Sequence, residues 1–283
     1  MTAVPMTKRK AKRRDVAFPI VNGIILCVLM FITLFPVLNT VAISFNDGID
    51  AVRGGIGLWP RVFSVEAYKS LLSDKLTYNA FGISVARTVI TTFLNLFFTS
   101  MLAFALSRKE YIFRKFITLA VVLTMYVNAG LIPNFLLIHR TLKLSKTFWV
   151  YIIPTMFSCF NMIVIRTYIQ GLPEALAESA RIDGANDLRI FWQIIFPLLG
   201  PVTSTVAIQT GIAVWNEFFM SLIFLGGSDA TPLSVSLYNY IGDNATQWNL
   251  VFASVVISLI PVVICFLLLQ KQMVKGFAGG IKS

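Results

Sequence analysis

Charged residues are scarce in this sequence of 283 residues. Asp, Glu, Lys and Arg together make up 13% of it, whereas 57% of the residues are apolar. A soluble domain carries about 25% charged and about 45–50% apolar residues. A disordered chain needs low hydrophobicity. The composition therefore excludes a disordered chain and argues against an ordinary soluble enzyme.

Histidine and cysteine are also rare. His139 is the one histidine, so a histidine-rich metal or haem site is excluded. Cys27, Cys159 and Cys265 all fall within long apolar runs, which argues against a disulfide framework. The sequence has no GxSxG, HExxH or P-loop pattern. We therefore expect no catalytic residue, metal or cofactor, and any energy from ATP must come from a partner.

Long runs without charge are what the sequence has instead. Six of them reach or approach the length of about 20 residues that a helix needs to cross a hydrocarbon core. The first run is too long for the apolar part of a signal peptide and is expected to be retained. These runs predict an all-α, polytopic membrane protein with six transmembrane helices. The predicted spans lie near 18–44, 79–106, 116–138, 148–168, 197–225 and 249–270.

Lys and Arg are distributed unequally between the predicted sides of the membrane. Sixteen lie in the two tails and in the loops at 107–115 and 166–193, and seven lie in the other loops. Because positive loops stay in the cytoplasm, both termini are predicted to be cytoplasmic. The basic tail thus encodes topology, and we expect no binding to nucleic acid. The predicted order is a cytoplasmic tail 1–17, a first transmembrane helix 18–45, an extracytoplasmic loop 46–78, a five-helix transmembrane domain 79–270 and a cytoplasmic tail 271–283.

The cytoplasmic segment from residue 173 to residue 200 predicts two short helices joined by a turn. Pro173 and Glu174 suit the first turn of a helix. Gly184 permits the left-handed backbone that ends it. Asn186 or Asp187 can cap the second helix, which runs toward Pro197 and the fifth span. The residues alone leave two interpretations open, an interfacial linker or a docking element for a cytoplasmic partner.

The same segment resembles the EAA loop of ABC-importer permeases. The resemblance rests on Glu174-Ala175-Leu176, on Ala180-Arg181-Ile182-Asp183-Gly184-Ala185, and on Phe191, Pro197-Leu198 and Pro201. Leu176 replaces the second Ala of the family pattern. In such permeases the loop, here 173–189, forms a coupling helix that sits in a cleft of the ATP-binding subunit. The resemblance implies that coupling involves Glu174, Ala175, Glu178, Ala180, Arg181, Asp183, Gly184 and Ala185.

Other stretches resemble the carbohydrate branch of this family. They are Gly130-Leu131-Ile132-Pro133, Trp149, Pro154, Trp215-Asn216-Glu217-Phe218 and the tail with Val274-Lys275-Gly276. The smaller permease of oligosaccharide or polysaccharide importers is the most similar. The resemblance implies a type I ABC-importer fold in the bacterial cell membrane. It also implies a pair of cytoplasmic ATP-binding subunits, a second homologous permease, an extracytoplasmic solute-binding protein and a sugar substrate.

Polar residues inside the spans are candidates for lining the substrate pathway, because polar groups are expensive in a bilayer. In the fifth span these are Gln209, Asn216 and Glu217, with the aromatic Trp215, Phe218 and Phe219 adjacent. Asn128 precedes the proline of the third span. The alternative for each is a hydrogen bond that only packs one helix against another.

The second span carries a polar stripe for which helix packing is the favoured interpretation. The stripe consists of Ser84, Thr88, Thr91, Asn95 and Thr99. Arg87 lies beside it and is expected to extend to the membrane interface. The outer loop is the natural contact for a binding protein, and the segment 226–248 is a candidate re-entrant turn. A peptide or other solute remains an alternative substrate. A stand-alone secondary transporter would need several mid-membrane carboxylates, and only Glu217 qualifies.

Overall fold

The computed structural model describes residues 14–127, 129–243 and 247–279. Within these ranges the helices are joined by turns and loops, and there is no strand. Asn46 and Phe63 form an isolated bridge. The predicted all-α class is confirmed. The α-helices are α1 Arg14–Ser44, α2 Gly48–Val52, α3 Glu66–Ser73, α4 Lys75–Ser107, α5 Arg114–Tyr126, α6 Leu131–Leu136, α7 Trp149–Ile152, α8 Cys159–Gln170, α9 Ala175–Ile182, α10 Asp187–Ile190, α11 Phe196–Leu198, α12 Gly200–Asn216, α13 Phe219–Leu225, α14 Leu233–Asp243 and α15 Trp248–Gly279.

Three helices are long and apolar enough to cross a membrane unbroken, namely Phe18–Ser44, Lys75–Ser107 and Trp248–Leu267. Three further candidates are pairs of helices with a bend between them. The pairs are Arg114–Tyr126 with Leu131–Thr141, Trp149–Thr155 with Cys159–Gln170, and Asp187–Leu198 with Gly200–Asn216. Counting each pair as one span gives six, the number that the uncharged runs predict.

The predicted third, fourth and fifth spans are thus interrupted, and local sequence explains where. Gly130 precedes α6 with φ of +83°, a backbone that favours glycine. Ser158 begins α8, and its hydroxyl accepts a hydrogen bond from the Asn161 N–H at 3.3 Å. The bend of 79° before α12 falls at Leu199, and Pro201 in the first turn of α12 needs no hydrogen-bond partner for its nitrogen.

The chain forms two compact units, one of residues 14–69 with 247–256 and one of residues 70–243 with 257–279. In the first unit, α1 is followed by a folded loop. Phe45 stacks on Phe63 and also contacts Tyr68. Asp47 caps α2 by accepting hydrogen bonds from two backbone N–H groups. Ala42, Ala51 and Ile56 form the small apolar core of this loop.

The second unit is organised around α4, which packs against α8 and α12. Its main core lies toward the C-terminal end of α4 and includes the buried residues Leu106, Met162, Ile165, Ile190 and Phe191. The predicted re-entrant segment contains α14, which also packs against α4. Residues 244–246 of that segment lie outside the described ranges.

The polar stripe of α4 packs helices together, as favoured from the sequence. Ser84 accepts a hydrogen bond from the Leu233 N–H at 2.7 Å. Asn95 donates to the Thr155 carbonyl at 2.7 Å, and Thr99 accepts from the Ser158 N–H at 3.4 Å. The last two contacts satisfy backbone groups that the break between α7 and α8 leaves without a helical partner.

Candidate functional sites: a polar cavity and a helix–turn–helix

The fifth span breaks after Asn216, and the side chain of Glu217 caps the helix that follows. α12 ends at Asn216, Glu217 has an extended backbone, and α13 begins at Phe219. The Glu217 carboxylate accepts hydrogen bonds from the Met220 N–H at 2.6 Å, the Ser221 N–H at 3.2 Å and the Ser221 hydroxyl at 2.5 Å. It thereby satisfies N–H groups in the first turn of α13, which have no partner within the helix.

Arg87 of α4 donates hydrogen bonds to the carbonyl groups at the end of α12, on the other side of the same break. Its guanidinium donates to the Trp215 carbonyl at 3.2 Å, the Glu217 carbonyl at 2.9 Å and the Ser221 hydroxyl at 2.8 Å. Its Nη1 lies 3.6 Å from Glu217 Oε2, and its Cζ lies 4.9 Å from the centre of the Tyr151 ring. These partners offset part of the desolvation cost of a buried cation.

The expectation that Arg87 extends to the membrane interface is wrong. Its side chain is fully buried, whereas that of Glu217 is 32% exposed. An arginine extends toward water when nothing within the protein accepts its hydrogen bonds. Here a hydroxyl and two carbonyl groups accept them and the Glu217 carboxylate lies nearby as a counter-charge, so the side chain stays inside.

The exposed part of Glu217 faces a cavity of about 590 Å³ in the second unit. Its wall combines amide and hydroxyl groups with aromatic rings. The polar contributors are Asn95, Thr155, Ser158, Asn161, Gln209, Thr210 and Glu217, and the aromatic ones are Tyr151, Phe157, Phe160 and Phe224. Asn161 links α8 to its neighbours, because its amide donates to Thr210 Oγ1 at 3.1 Å and to Asn95 Oδ1 at 3.4 Å.

The structure brings only part of the predicted pathway set together. Gln209 and Glu217 both line the cavity. Asn216 lies outside its wall, and its amide donates to the Ile212 carbonyl of its own helix at 3.0 Å. Asn128 falls outside the described residues. Asn161 and Thr210 were not predicted, although an amide in an uncharged run is the same signal that singled out Gln209.

The aromatic residues next to Glu217 in sequence do not form the cavity wall. The Trp215 indole donates to the Ser258 carbonyl at 3.1 Å and packs edge-on against Phe81. Phe218 packs against Tyr238. Trp215 belongs to α12, whereas Glu217 and Phe218 lie in the break before α13, so these neighbours in sequence do not share a face. The rings beside the cavity come from other elements.

The segment 173–200 folds as the predicted helix–turn–helix. α9 ends at Ile182, and Gly184 has φ of +80°. The Ala185 N–H donates to the Ala180 carbonyl at 2.9 Å, which closes the turn in the manner of a Schellman motif. Of the two predicted caps, Asn186 caps α10, since its Oδ1 accepts from the Arg189 N–H at 2.9 Å.

The two faces of this segment have different surroundings. Ala177 and Ala180 are buried in the main core, and Ala185 packs against it. Ala180 and Ala185 therefore support the loop from inside. The outward face carries the other predicted coupling residues, together with the apolar Ile182 and Leu188, which are 87% and 60% exposed. The exposed coupling residues are Glu174, Ala175, Glu178, Arg181, Asp183 and Gly184.

Two ion pairs connect this segment to the 107–113 turn, and a third lies within the segment. Lys109 lies 2.5 Å from Glu174, and Arg181 lies 3.0 Å from Glu110 and 3.3 Å from Asp187. The hydrogen bond and charge of Glu174 raise the pKa of Lys109, and hydrogen bonds to Glu110 and Asp187 raise the pKa of Arg181. Exposed pairs contribute little to stability, so their main effect is to orient α9 against the 107–113 turn.

Comparisons with known proteins agree with this architecture. The chain is 32% identical over 274 residues to the polygalacturonan/rhamnogalacturonan transport system permease protein YtcP of Bacillus subtilis, covering 90% of this chain and 96% of that protein. It is 30% identical to the arabinooligosaccharides transport system permease protein AraQ of Halalkalibacterium halodurans, covering 89% and 92% of the two chains.

Among solved structures, a chain of a bacterial ABC transporter involved in the import of the acidic polysaccharide alginate superposes with a TM-score of 0.85. The two are 30% identical, and the match covers 93% of this chain and 99% of that one. The family described as binding-protein-dependent transport system inner membrane component matches residues 78–278. The chain belongs to this family of ABC-transporter permeases, as its EAA-like motif indicated.

Proposed function

We propose that this chain forms half of the transmembrane pathway of an ABC importer for an oligosaccharide or polysaccharide. The observation that carries the proposal is the cavity beside the break of the fifth span. Ligand sites combine apolar and aromatic walls with a few directed polar groups. Sugars present hydroxyl groups that both donate and accept, and the amides of Asn95, Asn161 and Gln209 can do the same.

Glu217 has a defined part in this proposal. Its carboxylate is held by three donors of α13 and by Arg87, yet 32% of the side chain remains exposed. An ionised carboxylate only accepts hydrogen bonds, so it fits sugar hydroxyls and disfavours a ligand carboxylate at the same point. The relatives named above carry both acidic and neutral saccharides in their names.

The energy for transport is proposed to enter through the outward face of 173–189. No P-loop occurs in the sequence, and a pair of cytoplasmic ATP-binding subunits is the expected source. Ile182 and Leu188 provide exposed apolar surface, and Glu174, Glu178 and Asp183 provide charge. The inner face is anchored in the main core through Ala177 and Ala180, so a force on α9 reaches α4, α8 and α12.

The remaining partners and the topology follow from the same proposal. Both termini lie in the cytoplasm, as the distribution of Lys and Arg favours. A second, homologous permease completes the pathway, and an extracytoplasmic solute-binding protein delivers the sugar. Candidates for these subunits are the products of neighbouring genes.

The test is reconstitution of the chain with its candidate permease, ATP-binding and solute-binding partners in liposomes. ATP-dependent uptake of a labelled oligosaccharide, absent when the ATP-binding subunits or the solute-binding protein are omitted, is the expected result. Solute flux through the chain alone would contradict the proposal and favour a secondary transporter. Uptake of peptides but not of saccharides would retain the importer and reject the sugar.

A further inference from the structure

The loop that follows α1 returns to contact that helix before its end. The Asn39 amide donates to the Ile56 carbonyl at 2.7 Å and to the Gly57 carbonyl at 2.8 Å. α1 continues to Ser44. With a rise of about 1.5 Å per residue, Asn39 lies about 7.5 Å before the end of the helix. Residues 56 and 57 therefore lie beside α1, about one and a half turns before its C-terminal end.

Further hydrogen bonds fix the remainder of this loop. Arg61 donates to Asp50 Oδ2 at 3.0 Å and to the Gly54 carbonyl at 2.7 Å. Asn46 Oδ1 accepts from the Val62 N–H at 2.9 Å. The chain turns between residues 54 and 63 with both sides of the turn attached to the segment that follows α1. The position of the turn relative to α1 is therefore set by the fold.

The side chains of α1 indicate where the hydrocarbon of a bilayer ends. From Phe18 to Leu38 the helix has no charged residue and is exposed on nearly all sides, with apolar residues between 42% and 76% exposed. At 1.5 Å per residue this stretch rises about 31 Å, and a hydrocarbon core is about 30 Å thick. Asn39 is the next residue, so the contacts with Ile56 and Gly57 lie at the border between hydrocarbon and headgroups.

The residues after this contact are apolar and exposed. Leu58 is 37% exposed, Trp59 83%, Val62 51% and Phe63 68%. Tryptophan is enriched at the border of a membrane, where its ring sits among headgroups and its N–H reaches water. Arg53, which is 73% exposed at the side chain, lies on the same loop and can meet phosphate groups. An exposed apolar helix of membrane-spanning length thus continues into an exposed apolar turn.

We propose that residues 54–63 form an interfacial membrane anchor, with Trp59 inserted between phospholipid headgroups at the Ser44 end of α1. The depth of the loop favours lipid over a soluble protein. A solute-binding protein approaches from beyond the headgroups, whereas Ile56 and Gly57, at the start of this turn, are held at the level of Asn39. The anchor sets how deeply α1 and the outer loop sit in the bilayer. It does not depend on which solute the importer carries.

Fluorescence of the assembled complex in nanodiscs tests the anchor. The signal of Trp59 is obtained as the difference between the wild-type complex and the Trp59→Phe variant. Phosphatidylcholine carrying bromine close to the ester groups is expected to quench this difference signal more than lipid brominated near the methyl ends. Iodide in the buffer is expected to quench it little.

The Asn39→Ala variant tests whether the hydrogen bonds from Asn39 to Ile56 and Gly57 hold the loop at this depth. Without the amide, Trp59 is expected to lose its preference for the shallow bromine while the complex stays assembled. A Trp59 signal that iodide quenches and bromine does not would overturn the proposal. Protection from iodide that appears only when the solute-binding protein is added would also overturn it, and would assign the loop to protein docking.

Discussion

Arg87 donates to the backbone carbonyl of Glu217 while its guanidinium also lies 3.6 Å from the carboxylate of the same residue. One side chain of the second span thus holds both the backbone and the charge at the break in the fifth span. The carbonyl groups of Trp215 and Glu217 and the carboxylate of Glu217 all lie beside this one guanidinium. Specific contacts therefore stabilise the break in the helix.

Replacing Arg87 tests this role. In Arg87→Met, two carbonyl groups lose their donor and the Glu217 carboxylate loses its counter-charge, although Met220 and Ser221 still donate to it. Removing one member of a fully buried ion pair costs about 3–5 kcal/mol, and a smaller loss is expected here because Glu217 is 32% exposed. The complex is expected to unfold at a lower temperature in detergent. The double variant Arg87→Met with Glu217→Gln is expected to recover part of the loss, because no uncompensated charge remains. Equal stability of wild type and Arg87→Met would contradict the assignment.

Gln209 tests the cavity as the substrate route. Gln209→Ala removes an amide from the wall, and a neutral hydrogen bond of about 0.5–1.5 kcal/mol corresponds to a rise in the apparent KM for uptake of about 2- to 12-fold. ATP hydrolysis by the complex is expected to persist. Thr203→Ala is the matched control, because that hydroxyl bonds within α12 and lies outside the cavity. A shift of the same size in both variants would reject the route.

Asn216 tests whether the pathway extends beyond this cavity. Its side chain is exposed and bonds only to the Ile212 carbonyl among the contacts that the described ranges contain. If the second permease meets this face, Asn216→Ala is expected to change uptake without loss of assembly. Unchanged uptake kinetics would restrict the proposed pathway residues of the fifth span to Gln209 and Glu217.

Gly184 tests the turn of the coupling segment. A side chain at φ of +80° costs about 1–2 kcal/mol for most residues, although a Cβ there would meet no atom within 4 Å. Gly184→Val is therefore expected to distort the turn and weaken co-purification of the ATP-binding subunits, while membrane insertion is retained. Gly184→Asn is the control, since Asn tolerates this backbone. Normal co-purification of Gly184→Val would contradict the docking assignment.

A charge exchange separates docking from internal bracing at Glu174. Glu174→Lys places two cations together, and Lys109→Glu in the same chain restores an ion pair of opposite polarity. If Glu174 also contacts the ATP-binding subunit, ATP-driven uptake is expected to remain impaired in the double variant. Full recovery of uptake would show that the residue acts only within this chain.

The outer loop is expected to respond to acid through Asp50. The hydrogen bond from Asn46, followed by the contacts with Arg61, lowers the pKa of Asp50 below its ordinary value of 3.8. Because the pKa is lower in the folded state, ionised Asp50 stabilises the loop at pH values above 3.8. This stabilisation is lost as the pH falls through the lowered pKa. The Trp59 difference signal is expected to change in that acid range. The change should be absent in Asp50→Asn.

The sequence predicted a feature best when all the residues that determine it lie in one short segment. The uncharged runs predicted the number of spans, and Gly184 with Asn186 predicted the turn of the coupling segment. The breaks within three spans were not predicted, because an uncharged run indicates burial in lipid but not helical continuity. The environment of Arg87 was also missed, because its partners lie some 130 positions away in the chain.

The coupling residues show the same limit on a smaller scale. The motif singled out Ala180 and Ala185 together with the exposed charges, yet both alanines pack inward. Ala177 and Ala180 are three residues apart and therefore share a helix face, which is a signal for an inner surface. The sequence could not show which face the rest of the chain covers.

The exposure of α1 has a consequence for how this part of the protein changes during evolution. From Phe18 to Leu38 nearly every side chain is exposed, so no cavity formed by this chain restricts its shape. The family match begins only at residue 78. Substitution among apolar residues in α1 is therefore expected to leave the folding of this chain nearly unchanged, whereas Ser84, Asn95 and Thr99 on α4 tolerate little exchange. In relatives, α1 should keep its length and hydrophobicity while its sequence drifts.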